Sequence, residues 1–492
     1  MVSSRTLIPE LKSMINFKDC EISSIEFDSR EVKEGSIFFA LKGLKEDGSI
    51  FIEEAVDRGA KIVLSEDAFP ENPRVMQVSN LRSYLGIVSS RFYDNPSTKL
   101  HTFCVTGTNG KTSCVESLSR LIKGTKENCG YISTIGISYD GQELVRESQL
   151  TTPDPVSLNK ELFNIIRSGS NFAAIEASSH GLKQKRISGL EIGTAIFTSF
   201  SHDHLDYHSS LEDYKNSKFS LFRDYNPETS IIQIDSDEGL EIFKELKLLE
   251  RSVFSVSSSE EADFSYSCKR VEGLSLEISI KSDQSNFSFH LDTLSTALAS
   301  NVVCSFAALL LKGFDLKDLL RSVEGLNMPD GRMDLIQIDE KNICCIDFAH
   351  TPEALQKSLN EIRDSFEGNI WCVFGCGGER DKAKRPMMGS IAEKFADYVI
   401  LTNDNPRSES EEDIFNDIVS GIKNFSEIKV VKDRKLAVFE SLDFMLNNNE
   451  KNIMLLAGKG HENYQTIGSN TIEMNDKAIV CNYLERQGER KV

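Results

Sequence analysis

The sequence predicts an α/β chain of three domains, and three observations carry that reading. A short apolar run at 103–105 leads through a glycine-containing turn, Gly107-Thr108-Asn109-Gly110, into Lys111-Thr112-Ser113 and a helix-patterned segment. Apolar strand-like runs at 370–374, 398–401 and 453–456 alternate with helix-patterned stretches, as in a parallel sheet with covering helices. Turn-rich breaks at Asp94-Asn95-Pro96-Ser97 and Asn327-Met328-Pro329-Asp330-Gly331 separate the blocks. Domains are therefore expected at 1–96, 97–328 and 329–492, the central one a P-loop-type ATPase domain and the last Rossmann-like. A chain of 492 residues is too long for one core, which agrees with this division.

The first block holds apolar runs at 36–41 and 61–64 around a helical stretch. The central block opens on the phosphate-loop strand, and Cys114, Val115, Leu118, Leu121 and Ile122 then fall at helical spacings. That layout suits a nucleotide triphosphate. Backbone N–H groups freed by the glycines and the helix start point at phosphate oxygens, Lys111 adds a point charge, and the Thr112 hydroxyl can hold Mg2+. The chemistry is expected to begin with ATP, although Val105 stands where the strict motif has a small residue. Two further strand-like runs, 172–175 and 194–197, deliver Glu176-Ala177-Ser178-Ser179-His180 and the polar stretch 201–208 to the same rim. A carboxylate and two imidazoles, His180 and His208, near a phosphate loop are candidate Mg2+ and phosphate ligands.

In the third block each strand-like run is followed by a polar loop bearing glycine or proline: Gly375-Cys376-Gly377-Gly378, Asp404-Asn405-Pro406-Arg407 and Gly458-Lys459-Gly460-His461-Glu462. Ligands of such sheets sit beyond the carboxyl ends of the strands, so the three loops together predict a binding rim.

The net charge of -20 argues against a nucleic-acid partner, which would need clustered Lys and Arg. Small anions need only local cations, and Lys111, Arg380, Lys384, Arg385 and Lys459 stand beside glycines. Eleven cysteines without Cys-x-x-Cys pairs indicate neither a disulfide framework nor a structural zinc site, and Cys372 and Cys376 are expected in the core or at a turn. No apolar run approaches the roughly 20 residues that span a bilayer, and residues 1–18 lack the layout of a signal peptide. A cytoplasmic protein without membrane insertion is expected.

Taken together, these segments resemble the Mur ligase family, ATP-dependent amide-forming enzymes of peptidoglycan precursor synthesis. The resemblance runs through all three blocks, and is strongest to the members that add meso-2,6-diaminopimelate to UDP-N-acetylmuramoyl-L-alanyl-D-glutamate. It implies two steps: the carboxylate of the UDP-linked dipeptide takes the gamma phosphoryl group of ATP, and an amine of the amino acid then displaces phosphate from the acyl phosphate. It also implies these two substrates as partners, with ATP and Mg2+ as cofactors and a monomeric enzyme.

By resemblance, Asp28-Ser29-Arg30 and the turn at 43–48 hold the uridine nucleotide. Thr151, Thr152, Ser178, Gln184 and Arg186 hold the muramoyl dipeptide, and residues 107–113 form the ATP loop. Asn301, Arg332, Asp347 and His350 sit where the family contacts the nucleotide. Glu176 and His204 match Mg2+ ligands, joined by Thr112 and by Lys218, which matches the lysine the family carries as a carbamate (N6-carboxylysine). Lysine alone among cationic side chains readily supplies the neutral amine that takes up CO2. Lys111, Glu176, His204 and Lys218 are thereby the catalytic set.

Arg380, Asp404, Asn405, Pro406, Arg407, Gly458 and Glu462 match the residues that hold diaminopimelate. Lysine-adding relatives lack the arginine of this loop. Diaminopimelate is lysine plus a second carboxylate, which an arginine fork can pair bidentately. Leu150, Leu298, Lys45 and Glu46 depart from the usual family residues. Ligation of a different diamino acid, and a folylpolyglutamate synthase-like ligase, stand as alternatives; the latter lacks the uridine-binding block and the Asp-Asn-Pro-Arg loop.

Overall fold

The computed structural model describes residues 1–9, 19–43, 46–69, 72–141, 144–146, 150–201, 207–271, 274–283, 285–324, 326, 330–424 and 428–490. The chain forms two compact units, one of Met1–Tyr266, Ile280–Asn286 and Ser300–Val323, the other of Ser267–Ser279, Phe287–Ala299 and Glu324–Val492.

The first unit contains two parallel arrays. Near the N-terminus, strands Ser24–Glu26, Ser36–Phe39, Ile62–Ser65 and Val75–Gln77 pair in chain order, all parallel. Ser36–Phe39 and Ile62–Ser65 are buried at every position, as a sheet covered on both faces requires. Ile37, Phe39 and Leu64 pack on one face with Leu81, Leu85 and Val88 of the helix Leu81–Phe92. Phe38 and Val63 pack on the other with Ile52 and Ala55.

The second array runs, in spatial order, Cys129–Ser133, Phe172–Glu176, His101–Thr106, Thr194–Phe197, Thr229–Gln233 and Val253–Ser257, all parallel. The phosphate-loop strand His101–Thr106 lies between Phe172–Glu176 and Thr194–Phe197, with Glu176 opposite Val105 and Phe197 opposite Thr106. The two neighbouring strands come later in the chain on opposite sides of it, so three loops open at one crevice, where open α/β sheets bind ligands.

In the second unit the sheet order is Asp334–Gln337, Asn342–Asp347, Asn452–Ala457, Asn369–Phe374, Tyr398–Leu401 and Ile428–Val430. All neighbours are parallel except the first pair. Every residue of Asn342–Asp347 and Asn452–Ala457 is buried, and their carboxyl ends deliver Asp347 and Gly458 to one rim. Cys372 and Cys376 lie in the core, as expected. Among the described residues no helix is long and apolar enough to cross a membrane.

Candidate functional site

The phosphate loop of the first unit is built where the sequence places it. After His101–Thr106, residues 107–110 turn into the helix Lys111–Gly124, whose N-cap Gly110 adopts a left-handed φ of 88°. A Cβ on Gly110 would lie 2.4 Å from Asn301 Oδ1, so only glycine fits both the backbone and the space. Asn301 is buried against the loop in this way. Thr112 and Ser113 follow Lys111 in the first turn of the helix and are buried.

The neighbouring strand end holds the loop. Thr108 N donates to Ser199 O at 2.9 Å, Asn109 N to Ser199 Oγ at 3.0 Å, and Thr198 Oγ1 to Asn109 O at 2.6 Å. Lys111 Nζ donates to the carbonyls of Gly107 and Thr108, both at 2.9 Å. Lys218, 1% exposed on the helix Leu211–Arg223, donates through Nζ to Gly107 O at 2.7 Å and lies 4.3 Å from the ring centre of Tyr214. Tyr214 Oη in turn donates to Thr108 Oγ1 at 3.1 Å. Sequence analysis missed Tyr214, although its spacing of four from Lys218 puts both on one helix face.

Glu176 is fully buried at the end of its strand. Its carboxylate accepts from Thr134 N at 3.0 Å and Thr134 Oγ1 at 3.2 Å, a fixing contact that no motif signals. Thr134 Oγ1 also lies within hydrogen-bond distance of Thr151 Oγ1, at 3.0 Å. Thr152 Oγ1 donates to Glu176 O at 2.7 Å and accepts from Ser178 N at 3.0 Å, while Ser178 Oγ caps the helix Ser179–Lys183. Arg186 reaches Thr152 O at 2.6 Å and Gln184 Oε1 at 2.9 Å, and Gln184 Nε2 donates to Tyr207 Oη at 3.0 Å. The five residues Thr151, Thr152, Ser178, Gln184 and Arg186 thus form one connected polar wall beside Glu176.

His180 stacks on Tyr207 with ring centres 3.9 Å apart, and His208 is buried with Nδ1 3.4 Å from Asp213. Among the described residues no cluster of three or more His, Cys, Asp or Glu side chains, with His180 and His208 included, is placed to hold a metal ion. His204 lies outside the described residues. A cradle that a Cβ would fill, the buried Thr112 and the buried carboxylate of Glu176 are nonetheless a donor set that fits a nucleotide phosphate and a hard, oxygen-seeking cation. Ser29 is separate from this cluster: it is buried near the N-terminus and donates to Glu54 Oε2 at 3.0 Å, with Asp28 pairing Arg30 at 2.6 Å beside it.

The second unit gathers the other predicted residues at its rim. Burial pushes the Asp347 carboxyl above its usual range, and it accepts from Ser358 Oγ at 2.5 Å and Phe348 N at 2.9 Å. Arg332 lies over the Phe348 ring at 4.6 Å, and the His350 ring contacts Phe348 O at 2.9 Å through Nδ1. Asp404 is buried, which raises its carboxyl also, against the pull of Arg434 and Lys459. Gly458, at a left-handed φ of 110°, passes so close that a Cβ there would meet Asp404 Oδ2 at 2.6 Å. Asn405 Nδ2 donates to Glu462 Oε2 at 2.9 Å, and the buried Lys459 donates to the same oxygen at 3.1 Å. Arg407 donates through Nη1 to Gly378 O at 2.8 Å, Pro406 precedes it in the loop, and Arg380 is exposed.

Behind this rim lie buried charges, among them Arg385, which the sequence grouped with the cations available to small anions but which the fold commits to ion pairs. Arg385 is fully buried and joins Glu409 at 2.8 Å, Asp417 at 2.9 Å and the Gly377 carbonyl at 3.2 Å. Arg434 is fully buried, bidentate to Asp476 at 2.8 and 2.7 Å, and also donates to Ala457 O at 3.1 Å. The acidic partners are 24 to 42 residues away in sequence, so no local pattern announces them.

Fold and site together define an α/β protein built around a nucleotide-phosphate loop, with a second glycine-rich rim lined by acid, amide and arginine. Comparison with known proteins makes that class specific. The Mur ligase family catalytic domain matches residues 21–93, the Mur ligase middle domain residues 105–309, and the Mur ligase glutamate ligase domain residues 331–460. The chain belongs to the Mur ligase family. It is 35% identical to the UDP-N-acetylmuramoyl-L-alanyl-D-glutamate--2,6-diaminopimelate ligase of Haemophilus influenzae (strain ATCC 51907 / DSM 11121 / KW20 / Rd), over 97% of this chain and 98% of that one. It is also 35% identical to the protein of the same name from Vibrio vulnificus (strain YJ016), over 93% and 94%. A solved structure of a UDP-N-acetylmuramoyl-L-alanyl-D-glutamate--2,6-diaminopimelate ligase superposes with a TM-score of 0.76 at 31% identity, covering 99% of each chain.

Proposed function

We propose that this chain is the cytoplasmic, monomeric ligase that joins meso-2,6-diaminopimelate to UDP-N-acetylmuramoyl-L-alanyl-D-glutamate, with ATP and Mg2+, and that its domains divide at residues 96 and 328. The full-length likeness to enzymes of that name carries the reading. The chemistry of the site supports it.

Backbone N–H groups of the first helical turn receive the phosphates, with Lys111 countering their charge. Thr112, Glu176, His204 and Lys218 as a carbamate hold Mg2+, which supplies charge neutralisation at the transferring phosphoryl group. A carboxylate oxygen of the UDP-linked dipeptide forms a bond to the gamma phosphorus of ATP as the bond to ADP breaks. An amine of diaminopimelate then attacks the acyl carbon, loses a proton and displaces phosphate. The wall of Thr151, Thr152, Ser178, Gln184 and Arg186 orients the dipeptide, and Ser29 serves the uridine nucleotide. Asn301, Arg332, Asp347 and His350 serve the ATP nucleotide, and Arg380, Asp404, Asn405, Pro406, Arg407, Gly458 and Glu462 the amino acid. Positioning and charge stabilisation are sufficient for such transfers.

Phosphate release from ATP tests the reading directly, with Mg2+, the UDP-linked dipeptide and either meso-diaminopimelate or L-lysine. Release with diaminopimelate alone is expected. Preference for lysine would overturn the amino-acid assignment, and silence with both would overturn the ligase reading.

A further inference from the structure

Arg407 is the non-glycine residue of the Asp-Asn-Pro-Arg loop whose backbone is left-handed, at φ 52°. Such a conformation is strained for a residue with a side chain and persists where its surroundings over-determine it. The surroundings here are a hairpin, Tyr464–Ile467 paired antiparallel with Asn470–Glu473, that follows the glycine-rich segment 458–462 directly. Arg407 pairs with Ile467 as a single parallel bridge: Arg407 N donates to Thr466 O at 3.0 Å, and Gly468 N donates to Arg407 O at 2.6 Å. Thr466 N donates to Asn405 Oδ1 at 2.9 Å. Both backbone polar groups of Arg407 and the side chain of Asn405 are thereby tied to the hairpin.

The remaining tie is a side chain. Gln465 is 3% exposed, on a hairpin whose other residues are mostly open to solvent. Its Nε2 donates to Asp404 O at 2.6 Å and to Asn403 O at 3.3 Å. A buried amide spanning two successive carbonyls of a loop fixes that loop's path, and its removal leaves buried acceptors unpaired. The hairpin bears no glycine-rich or charged motif of its own, and three of its apolar side chains, Tyr464, Ile467 and Ile472, are exposed. Core packing alone does not account for its place.

We propose that Gln465 is a positioning residue for amino-acid recognition, and that the hairpin is a clamp holding the 403–407 loop so that the Arg407 guanidinium keeps its aim. The inference rests on the assignment of Arg407 to the second carboxylate of diaminopimelate. It adds a specificity determinant that touches no substrate.

The test is steady-state kinetics of the full-length enzyme with Gln465→Met, which keeps length and removes the donor. The KM for diaminopimelate is expected to rise about tenfold, with kcat and the KM values for ATP and the UDP-linked dipeptide within about twofold, and with the preference for diaminopimelate over L-lysine falling in parallel. Gly468 gives an independent probe, since its φ is 60° and a Cβ there would meet nothing within 4 Å, so the strain of a substitution falls first on the backbone. Gly468→Val is expected to raise the diaminopimelate KM more than Gly468→Asn does, because asparagine tolerates the left-handed region and valine does not. An unchanged diaminopimelate KM in folded Gln465→Met, or an equal loss in every kinetic constant, overturns the clamp. Arg407→Ala measured alongside separates the two levels: if it too leaves the diaminopimelate KM unchanged, the assignment of Arg407 itself has failed.

Discussion

Lys111 and Lys218 donate to one oxygen, the carbonyl of Gly107, at 2.9 and 2.7 Å. Two ammonium groups on one neutral acceptor repel each other across a buried site, where Coulomb terms are weakly screened. Converting Lys218 to a carbamate would replace that repulsion with attraction to Lys111, and would supply an anion at the phosphate loop. Lys218→Ala is therefore expected to lower phosphate release by on the order of 100-fold. Wild-type activity should also fall in CO2-depleted buffer and recover with bicarbonate, a response the variant should lack.

Tyr214 anchors the same loop from the preceding turn of the Lys218 helix, through its bond to Thr108 Oγ1 at 3.1 Å. Tyr214→Phe keeps the ring under Lys218 and removes only the hydroxyl. A loss of about 1 kcal/mol in unfolding free energy is expected, with a rise of a few-fold in the KM for ATP and no change in that for diaminopimelate. Chemical denaturation and kinetics together check it.

Asp213 ties the start of that helix to its surroundings. The hydrogen bond from Lys183 first, then those from Ser209, hold its carboxyl down at about 2, against an ordinary value of 3.8. A carboxyl with a depressed pKa in the folded state adds stability that is complete above the ordinary value and is lost as pH falls through the folded one. The difference in thermal midpoint between wild type and Asp213→Asn is thus expected to be constant above about pH 5 and to shrink between pH 4 and 2. A difference that grows on acidification would contradict the assignment.

Arg434 and Asp476 form a buried pair in the second unit, both fully inaccessible. Removing one partner leaves the other charge uncompensated, so Asp476→Ala is expected to destabilise the protein by about 3 to 5 kcal/mol. Urea unfolding followed by a probe in the second unit measures it. Because Arg434 also holds the Ala457 carbonyl, one residue before Gly458, the surviving folded fraction should bind diaminopimelate more weakly.

Arg407 should act through discrimination rather than through rate. Its guanidinium is the group suited to a second carboxylate, and a site built for that group rejects the analogue lacking it. Arg407→Ala is expected to reduce the ratio of kcat/KM for diaminopimelate over L-lysine by at least about 100-fold, read in parallel phosphate-release assays.

The sequence by itself determined the features that are local. A glycine turn between a strand and a helix is written in eight consecutive residues, and its chemistry follows from backbone geometry that those residues impose. The three rim loops of the last block were legible for the same reason, because alternation of strand and helix dictates a parallel sheet and a parallel sheet puts its loops at one edge. The order of strands was not legible. That Glu176 stands opposite Val105, and so beside the phosphate loop, depends on which strands pair, a choice made by packing of both sheet faces over 71 residues of separation. The same holds for the contacts that fix the functional side chains: Thr134 on Glu176, Tyr214 on Thr108, Asp476 on Arg434 and Gln465 on Asp404. Each is one hydrogen bond or ion pair between residues distant in the chain, worth too little to leave a pattern in composition or periodicity. Only the tertiary structure, which brings their backbones together for reasons of hydrophobic packing, decides that they meet.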